Sequence, residues 1–314
     1  MTDQSTVQGG RNRLTWADCP PEVRARIESL CGSSVVSAVT SFGGFSPGLA
    51  STLVLADGRT VFAKAASTDT SDRARDLYRR ERDILGLLPR QVPHADLLAS
   101  SEFDDWIVLL YAHIEGRHPV PGDAADRAAM FDTYAALSEL LDPSPIDLPP
   151  FEEVSAGSLD AWSRAGADAP AARLDPWIAD HIDAVIGYSR SWRETVHGSA
   201  LVHGDLRADN MMLASDGMIV LDWPEASIGA PWLDVVLALP SMAMFSGTPP
   251  IEEMGRQPML RAVDASALRS VVAAMTGFFL CASTEPVIPQ LPTLRGFQRE
   301  QGLRAAAWLR ALSE

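Results

Sequence analysis

The segment from residue 201 to residue 226 constrains the fold of this chain most, because it predicts a β-hairpin with polar side chains at its open end. Two apolar runs, 211–213 and 218–221, are joined by the turn sequence Ala-Ser-Asp-Gly, which is typical of a hairpin. Asn210 precedes the first run and Asp222 follows the second. Strand pairing therefore brings an amide oxygen and a carboxylate together, and hard oxygen ligands of this kind suit Mg²⁺.

A second aspartate, Asp205, lies five residues before Asn210. It is expected to hydrogen-bond an attacking hydroxyl group. Taken alone, Asp205 has the alternative role of capping a turn. Its combination with Asn210, the hairpin spacing and Asp222 favours a chemical role.

The elements predicted before residue 116 are mainly strands, and those predicted after it are mainly helices. Apolar alternation and turn residues predict strands and one helix in the first part. The strands are expected at 35–40, 51–55, 60–64, 97–101 and 106–110, with the helix at 71–88. Helical apolar spacing follows at 124–141, 159–165, 176–196, 268–281 and 298–312. The pattern predicts an α+β chain with a small mixed lobe followed by a larger helical lobe.

The charge of the chain is strongly acidic. Lys and Arg number 26 against 41 Asp and Glu, which gives a net charge of −15. A surface of this sign repels phosphate backbones and argues against a nucleic-acid partner. An acidic pocket would instead attract a cationic substrate, and Glu225, Glu252, Glu253 and Glu285 are candidates to bind its amino groups, with a solvated surface charge as the alternative role of each.

Cysteine usage and hydropathy predict a cytoplasmic protein with no membrane partner. The 3 cysteines are far apart and form no CxxC pair, which argues against a disulfide framework or a zinc site. The first twenty residues lack the apolar core of a signal peptide. The most apolar stretch, 271–282, is too short to span a bilayer and predicts a buried helix. Nothing in the sequence indicates an oligomeric state.

One basic residue differs from all the others. Lys64 is the single lysine among 26 basic residues, and the rest are arginine. A coding bias that replaces lysine wherever charge alone is needed would explain the 25 arginines. Position 64, which kept its lysine, is then a candidate site at which a compact ammonium is needed.

The motif His203-Gly204-Asp205, with Asn210 and the later Asp222, resembles the signature of the aminoglycoside phosphotransferases and choline kinase-like enzymes. The resemblance covers about 35–232. It implies a bilobal protein-kinase-like fold of class α+β. A nucleotide-binding lobe would span 1–112, and a catalytic and substrate-binding lobe would span 113–314.

The resemblance also implies roles for residues of this motif. Asp205 would be the catalytic base, and Asn210 and Asp222 would be Mg²⁺ ligands. Arg207 is at the position of a basic residue that reaches the transferred phosphate. Asp234 matches an aspartate that braces the catalytic loop, and His203 is expected to be a packed framework residue.

The first lobe supplies an independent pair for the same chemistry. A kinase-like site needs a lysine on the third strand and a glutamate on the next helix. Lys64 ends the third predicted strand, and Glu81 is the charged member of an otherwise apolar helix face. A carboxylate that faces a core needs a partner. We therefore expect Glu81 to hold Lys64 against the ATP phosphates.

Two further segments are implied to bind the nucleotide. The loop at 43–48 would cover the phosphates, with Ser46 reaching the β-phosphate. The segment at 111–114 would be the hinge, with Tyr111 at its start and the Ala112 carbonyl and the Ile114 N–H on adenine.

The implied activity is transfer of the ATP γ-phosphate, with Mg²⁺, to a hydroxyl of a small and cationic acceptor. An aminoglycoside-like antibiotic, an amino sugar and an amino alcohol all fit this description. A protein kinase is disfavoured because the eleven residues between Asp222 and Asp234 leave no room for a regulated activation segment. A catalytically silent nucleotide-binding pseudokinase or interaction module is the alternative outside enzymes.

Replacing Lys64 by arginine tests whether the lysine has a chemical role or remains at this position by chance. We expect Lys64→Arg to lower turnover at least tenfold, about 1.4 kcal/mol of transition-state stabilisation, because a planar guanidinium does not fit a site shaped for an ammonium. Glu81→Gln should act in the same direction but less. Global stability should change far less than turnover. Near-normal steady-state kinetics for Lys64→Arg would refute the role.

Overall fold

The computed structural model describes residues 13–41 and 48–314, and the chain divides into two compact units. Unit 1 comprises Met1–Arg117, Met212–Pro224 and Val287–Leu294, and unit 2 comprises His118–Met211, Glu225–Pro286 and Arg295–Glu314. The segment Met212–Pro224 is thus part of the same compact unit as the N-terminal sheet. The lobe boundaries at 1–112 and 113–314 stay a prediction.

The strands are short and predominantly antiparallel. They are β1 (Val35–Thr40), β2 (Leu49–Leu55), β3 (Thr60–Ser67), β4 (Leu97–Phe103), β5 (Trp106–Ala112), β6 (Gly116–Arg117), β7 (Ala200–Val202), β8 (Met211–Ala214), β9 (Gly217–Val220) and β10 (Ser227–Gly229).

The helices lie mainly in the second half of the chain. They are α1 (Pro21–Cys31), α2 (Thr68–Leu85), α3 (Ala124–Leu140), α4 (Phe151–Val154), α5 (Ala156–Leu159), α6 (Ala161–Ala165), α7 (Pro176–Asp180), α8 (Ile182–Ser189), α9 (Trp192–Thr195), α10 (Leu233–Ser246), α11 (Pro250–Arg256), α12 (Ala265–Ser283) and α13 (Leu294–Ala311), with 3₁₀ turns at Pro170–Leu174, Ala208–Asn210 and Pro258–Leu260.

Unit 1 is built on a five-stranded antiparallel sheet in the order β1-β2-β3-β5-β4. Successive side chains of a strand point to opposite faces. In the central strand β3, Val61, Ala63 and Ala65 therefore share one face, where they join a buried cluster with Val23 and Ile27 of α1. Lys64 lies on the other face of β3, the face on which α2 packs. The same alternation that fills the core thus presents the lysine to the helix.

Helix α2 begins its regular part at the residue that the sequence predicts. Ser71 interrupts the helical backbone, and its hydroxyl accepts a hydrogen bond from the Ala74 N–H at 3.2 Å, as an N-cap serine does. The helix ends at Leu85, three residues before the predicted end at Leu88. Gly86 and the two leucines that follow form a turn instead.

The predicted hairpin is confirmed. Strands β8 and β9 pair, and β6 pairs with β8 on its other edge to complete a three-stranded sheet. Val220, the last residue of β9, donates a backbone hydrogen bond to the Pro93 carbonyl at 2.7 Å. Asp222 follows two residues later, so a short, well-anchored strand sets its position within unit 1.

Two predicted helices are wrong in extent. The single helix expected at 176–196 is three short helices, α7, α8 and α9. His181 ends the first of these and precedes the second, and its backbone φ of −122° is outside the helical range. The helix expected at 159–165 is likewise divided between α5 and α6 at Asp160.

Helix α12 is the buried helix of unit 2, packed against α5, α6, α8 and α9. Within the described part of the chain it alone has the length and mean hydropathy (1.5) of a possible membrane span. It is longer than the predicted apolar run, and 61% of it is buried inside the protein. Since core helices of soluble proteins pass the same test, this is weak evidence for a span.

Gly277 of α12 marks the tightest helix contact in this unit. A Cβ built there would lie 2.4 Å from Cδ1 of Trp162, an indole with no solvent exposure. A methyl group at this position must therefore displace a fixed aromatic ring.

We expect Gly277→Ala to lower the free energy of unfolding by roughly 1 to 3 kcal/mol, the usual cost of overpacking a core. Gly187→Ala is the matched control, because Gly187 is also helical and has no atom within 4 Å of its added Cβ. The control should stabilise by about 0.4 to 1 kcal/mol. Chemical denaturation of both variants checks this, and equal effects of the two substitutions would contradict it.

Candidate functional site

Lys64 forms the centre of a charged cluster in unit 1. Its ammonium nitrogen lies 2.8 Å from Oε1 and 2.9 Å from Oε2 of Glu81, which α2 supplies. It also bonds Oδ1 of Asp222 from the hairpin segment. The predicted Lys64–Glu81 pair is confirmed, and Asp222 is a partner of the lysine that the sequence did not indicate.

Two tyrosine rings enclose this ammonium. The Lys64 nitrogen is 5.6 Å from the ring centroid of Tyr78 and 5.4 Å from that of Tyr111, within the range of a cation–π interaction. Tyr111 is 3% exposed, and the Lys64 side chain is 12% exposed. The lysine is thus shielded by aromatic carbon while its charge faces two carboxylates.

The charges of the cluster set one another's acidity. Burial by itself lowers the pKa of Lys64, but Asp222 and Glu81 outweigh it and raise that pKa above its usual range, so the ammonium form is held. Burial raises the pKa of Glu81, and Lys64 opposes the shift. Burial, and next the charge of Glu81, raises the pKa of the Tyr111 hydroxyl, which therefore stays protonated.

Asp222 has a backbone conformation that few residues adopt. Its φ is +59°, in the left-handed region that side chains with a Cβ seldom occupy outside special sites. Its side chain is 43% exposed although one oxygen bonds Lys64. An exposed carboxylate held in this way has the chemistry of a Mg²⁺ ligand.

The residues predicted to bind the nucleotide base lie where β5 ends. Tyr111 and Ala112 are the last two residues of the strand, and half-buried Ile114 follows in the connection to β6. The Tyr111 ring is directed to Lys64, so any contact of this residue with adenine stays a prediction, as do those of Ala112 and Ile114. Ser46, predicted to reach the β-phosphate, lies outside the described residues.

Unit 2 contains the loop that carries Asp205. Oδ1 of Asp205 accepts a hydrogen bond from Nη1 of Arg207 at 2.6 Å. Nδ2 of Asn210 donates to Oδ2 of Asp205 at 3.1 Å and to its backbone carbonyl at 2.7 Å. These two donors hold a carboxylate that is still 38% exposed. Because the amide nitrogen of Asn210 faces Asp205, a cation contact of this residue, which stays a prediction, would use the amide oxygen.

Arg207 pairs with two carboxylates in the structure. Besides Asp205, it contacts Asp209 through two nitrogens, at 3.0 and 2.9 Å. The sequence analysis missed Asp209, although a basic residue between acidic residues two positions away on each side was a signal for such a pair. The predicted contact of Arg207 with the transferred phosphate stays a prediction.

The half-buried carboxylate of Asp234 braces this loop, as predicted. Asp234, at the start of α10, accepts backbone hydrogen bonds from His203 at 2.9 Å and Gly204 at 2.8 Å. Burial raises the pKa of Asp234, although both N–H groups oppose the shift. The Tyr134 hydroxyl donates to the Leu206 carbonyl at 2.8 Å. His203 is 1% exposed, in agreement with its expected framework role.

Gly204 lets the loop turn beside a neighbouring chain segment. Its φ is +83°, and a Cβ there would lie 2.8 Å from the Glu225 carbonyl. A side chain at this position would therefore be strained and would also collide with the backbone of Glu225.

Three of the four acidic residues named as candidates to bind a cationic acceptor have basic partners within unit 2. Glu253 is 3% exposed and pairs with Arg127 and Arg256, each at 3.2 Å. Glu285 pairs with Arg295 at 2.8 Å. Glu252 lies 3.9 Å from Arg256, and Glu225 is half-buried. Glu253 is therefore a buried ion-pair residue, and an acceptor role for the others stays a prediction.

No group of three or more His, Cys, Asp or Glu side chains within 13–41 and 48–314 is arranged to hold a metal ion.

Comparison with known proteins agrees with this geometry. Residues 48–265, more than half of the chain, match the model of the phosphotransferase enzyme family, APH. No curated protein sequence matches the chain.

Three solved structures illustrate the fold. A thermostable mutant of the aminoglycoside phosphotransferase APH(4)-Ia, in ternary complex with AMP-PNP and hygromycin B, has a TM-score of 0.61 at 16% identity and covers 93% of this chain and 99% of its own. A choline/ethanolamine kinase family protein from Mesorhizobium loti has a TM-score of 0.56 at 16% identity, covering 93% and 94%. An amicoumacin kinase in complex with AMP-PNP, Ca²⁺ and Ami has a TM-score of 0.52 at 12% identity, covering 91% and 94%.

These findings confirm the predicted α+β, protein-kinase-like fold, with an antiparallel N-terminal sheet and a helical C-terminal part. The family match includes the strand of Lys64, the loop of Asp205 and the hairpin that precedes Asp222. This chain belongs to the phosphotransferase enzyme family.

Proposed function

We propose that this protein is an ATP- and Mg²⁺-dependent kinase that transfers the γ-phosphate to a hydroxyl of a small, cationic acceptor, with Asp205 as the catalytic base. The observation that carries the proposal is the cluster in unit 1, where the only lysine of the chain bonds Glu81 and Asp222. Together with family membership, a buried ammonium held by two carboxylates is suited to bind phosphate oxygens.

Asp205 has the geometry of a base for an alcohol. Its two oxygens accept hydrogen bonds from Arg207 and Asn210, and a carboxylate has further lone pairs for a hydroxyl. As the acceptor oxygen bonds the γ-phosphorus and the bond to the bridging oxygen breaks, the hydroxyl proton passes to Asp205. The leaving group is then ADP.

Asp222 and Asn210 each stay a predicted Mg²⁺ ligand, and their donor atoms fit that ion. Asp222 offers an exposed carboxylate and Asn210 an amide oxygen. Bound Mg²⁺ would neutralise phosphate charge during transfer. The crystallised relatives with AMP-PNP, one of them with Ca²⁺, support a nucleotide and a divalent cation as partners.

A cationic acceptor is supported by the net charge of −15 and by hygromycin B in the complex of one relative. Acceptors of this class are aminoglycoside-like antibiotics, amino sugars and amino alcohols. We propose a cytoplasmic location and no nucleic-acid or membrane partner on the grounds of charge and composition. ATP consumption across a panel of such acceptors tests the function, and nucleotide binding without turnover on any of them favours the silent pseudokinase.

Removing the proposed base should separate chemistry from binding. We expect Asp205→Asn to abolish phosphate transfer and to leave Mg·ATP affinity nearly unchanged, because an amide cannot take the hydroxyl proton. Turnover and nucleotide titration measure the two effects. Asp216→Asn, the same change at the exposed hairpin turn, is the control. More than a few per cent of wild-type turnover in Asp205→Asn would exclude Asp205 as the base.

The two predicted metal ligands should contribute unequally to Mg²⁺ binding. We expect Asp222→Ala to impair productive Mg²⁺ binding more than Asn210→Ala, because it removes a full charge rather than an amide dipole. The Mg²⁺ concentration for half-maximal turnover measures this, with Asp216→Ala as the control. An unchanged Mg²⁺ dependence in Asp222→Ala would contradict the assignment.

A further inference from the structure

Arg207 is held on three sides within unit 2. Its Nε and Nη2 atoms donate to the two oxygens of Asp209 at 3.0 and 2.9 Å. Its Nη1 donates to Asp205 at 2.6 Å. The guanidinium carbon lies 5.6 Å from the ring centroid of Phe297 in α13, and the side chain is 16% exposed.

The pair with Asp209 fixes the orientation of the guanidinium. Two parallel hydrogen bonds from a planar fork to one carboxylate define both the direction and the plane of the group. The orientation of the remaining nitrogen, Nη1, is then fixed as well, and in the structure it donates a hydrogen bond to Oδ1 of Asp205. A single bond from Arg207 to Asp205 would not by itself prevent rotation of the arginine.

The backbone around this arrangement is also anchored. Asp209 lies in the 3₁₀ turn Ala208–Asn210, and Tyr134 bonds the carbonyl of Leu206. The backbone that carries Asp205, Arg207 and Asp209 is therefore held in place, and their side-chain contacts form on this fixed backbone.

We propose that Asp209 is a positioning residue for the transfer reaction. It holds Arg207 so that Arg207 and Asn210 together keep the Asp205 carboxylate in one orientation toward the acceptor hydroxyl. This inference rests on the proposed function. The competing role for Asp209, direct binding of a cationic acceptor, is disfavoured because the guanidinium of Arg207, bonded to both of its oxygens, already offsets its negative charge.

A double-mutant cycle tests the inference by steady-state kinetics on the best acceptor of the panel. We expect Asp209→Asn to lower kcat at least tenfold and to leave the KM for the acceptor and the affinity for Mg·ATP within about twofold. Asp209→Glu should recover part of the loss. Because Asp209 acts through Arg207, the double variant with Arg207→Ala should be no slower than Arg207→Ala alone. Asp168→Asn, a change at an exposed loop position, is the control.

A second measurement detects the contact between Arg207 and Asp209 and does not depend on turnover. The Nε–Hε resonance of Arg207, assigned by its absence in Arg207→Lys, should be visible and slow to exchange in the wild type and broadened in Asp209→Asn. Loss of this protection with kcat unchanged overturns the inference. So does a raised acceptor KM at constant kcat, or a double variant whose losses simply add. A wild type that binds Mg·ATP and transfers phosphate to no acceptor overturns the proposed function instead, and removes the reaction that Asp209 would serve.

Discussion

The packing of unit 1 depends on the pairing of one buried ammonium. Lys64 lies on the central strand of the sheet and is 12% exposed, a position where an unpaired charge would be strongly unfavourable. Glu81 satisfies it from α2, and Asp222 satisfies it from a segment 158 residues away in the chain. The two ion pairs thus link α2 to the sheet and place the segment after the hairpin beside them.

In unit 2, a carboxylate is stabilised by backbone N–H groups. Asp234 is a half-buried carboxylate that accepts hydrogen bonds from the N–H groups of His203 and Gly204, so its charge is stabilised by the loop that it holds in place. The positive φ of Gly204 and the bond from Tyr134 to the next turn complete this frame. The reactive side chains of the loop can then be polar and half-exposed, because the fixed backbone rather than their own packing determines where they lie.

The sequence was sufficient to predict a feature where a local pattern is compatible with only one structure. The hairpin before Asp222, the N-cap at Ser71 and the Lys64–Glu81 pair were all predictable from turn chemistry, capping and a charged residue on an apolar helix face. Sequence reasoning missed α10, because Pro240 and apolar residues on all sides give no amphipathic period. It also missed α1, although a proline at its first position and Gly32 just after its end were available signals. The bond from Lys64 to Asp222 joins distant segments, and no local pattern encodes such a contact.

The solitary lysine has a practical consequence for following how this chain opens. A lysine-specific endoprotease has a single bond to cleave, between Lys64 and Ala65, and that bond lies in a strand paired on both sides. Cleavage needs the central strand of the sheet to leave its neighbours, so local fraying of loops or termini gives no product. Because opening is the only route to the cut, the rate at which the intact chain disappears reports the population in which the sheet has come apart. The single lysine of this chain is thus also a natural reporter of the integrity of unit 1.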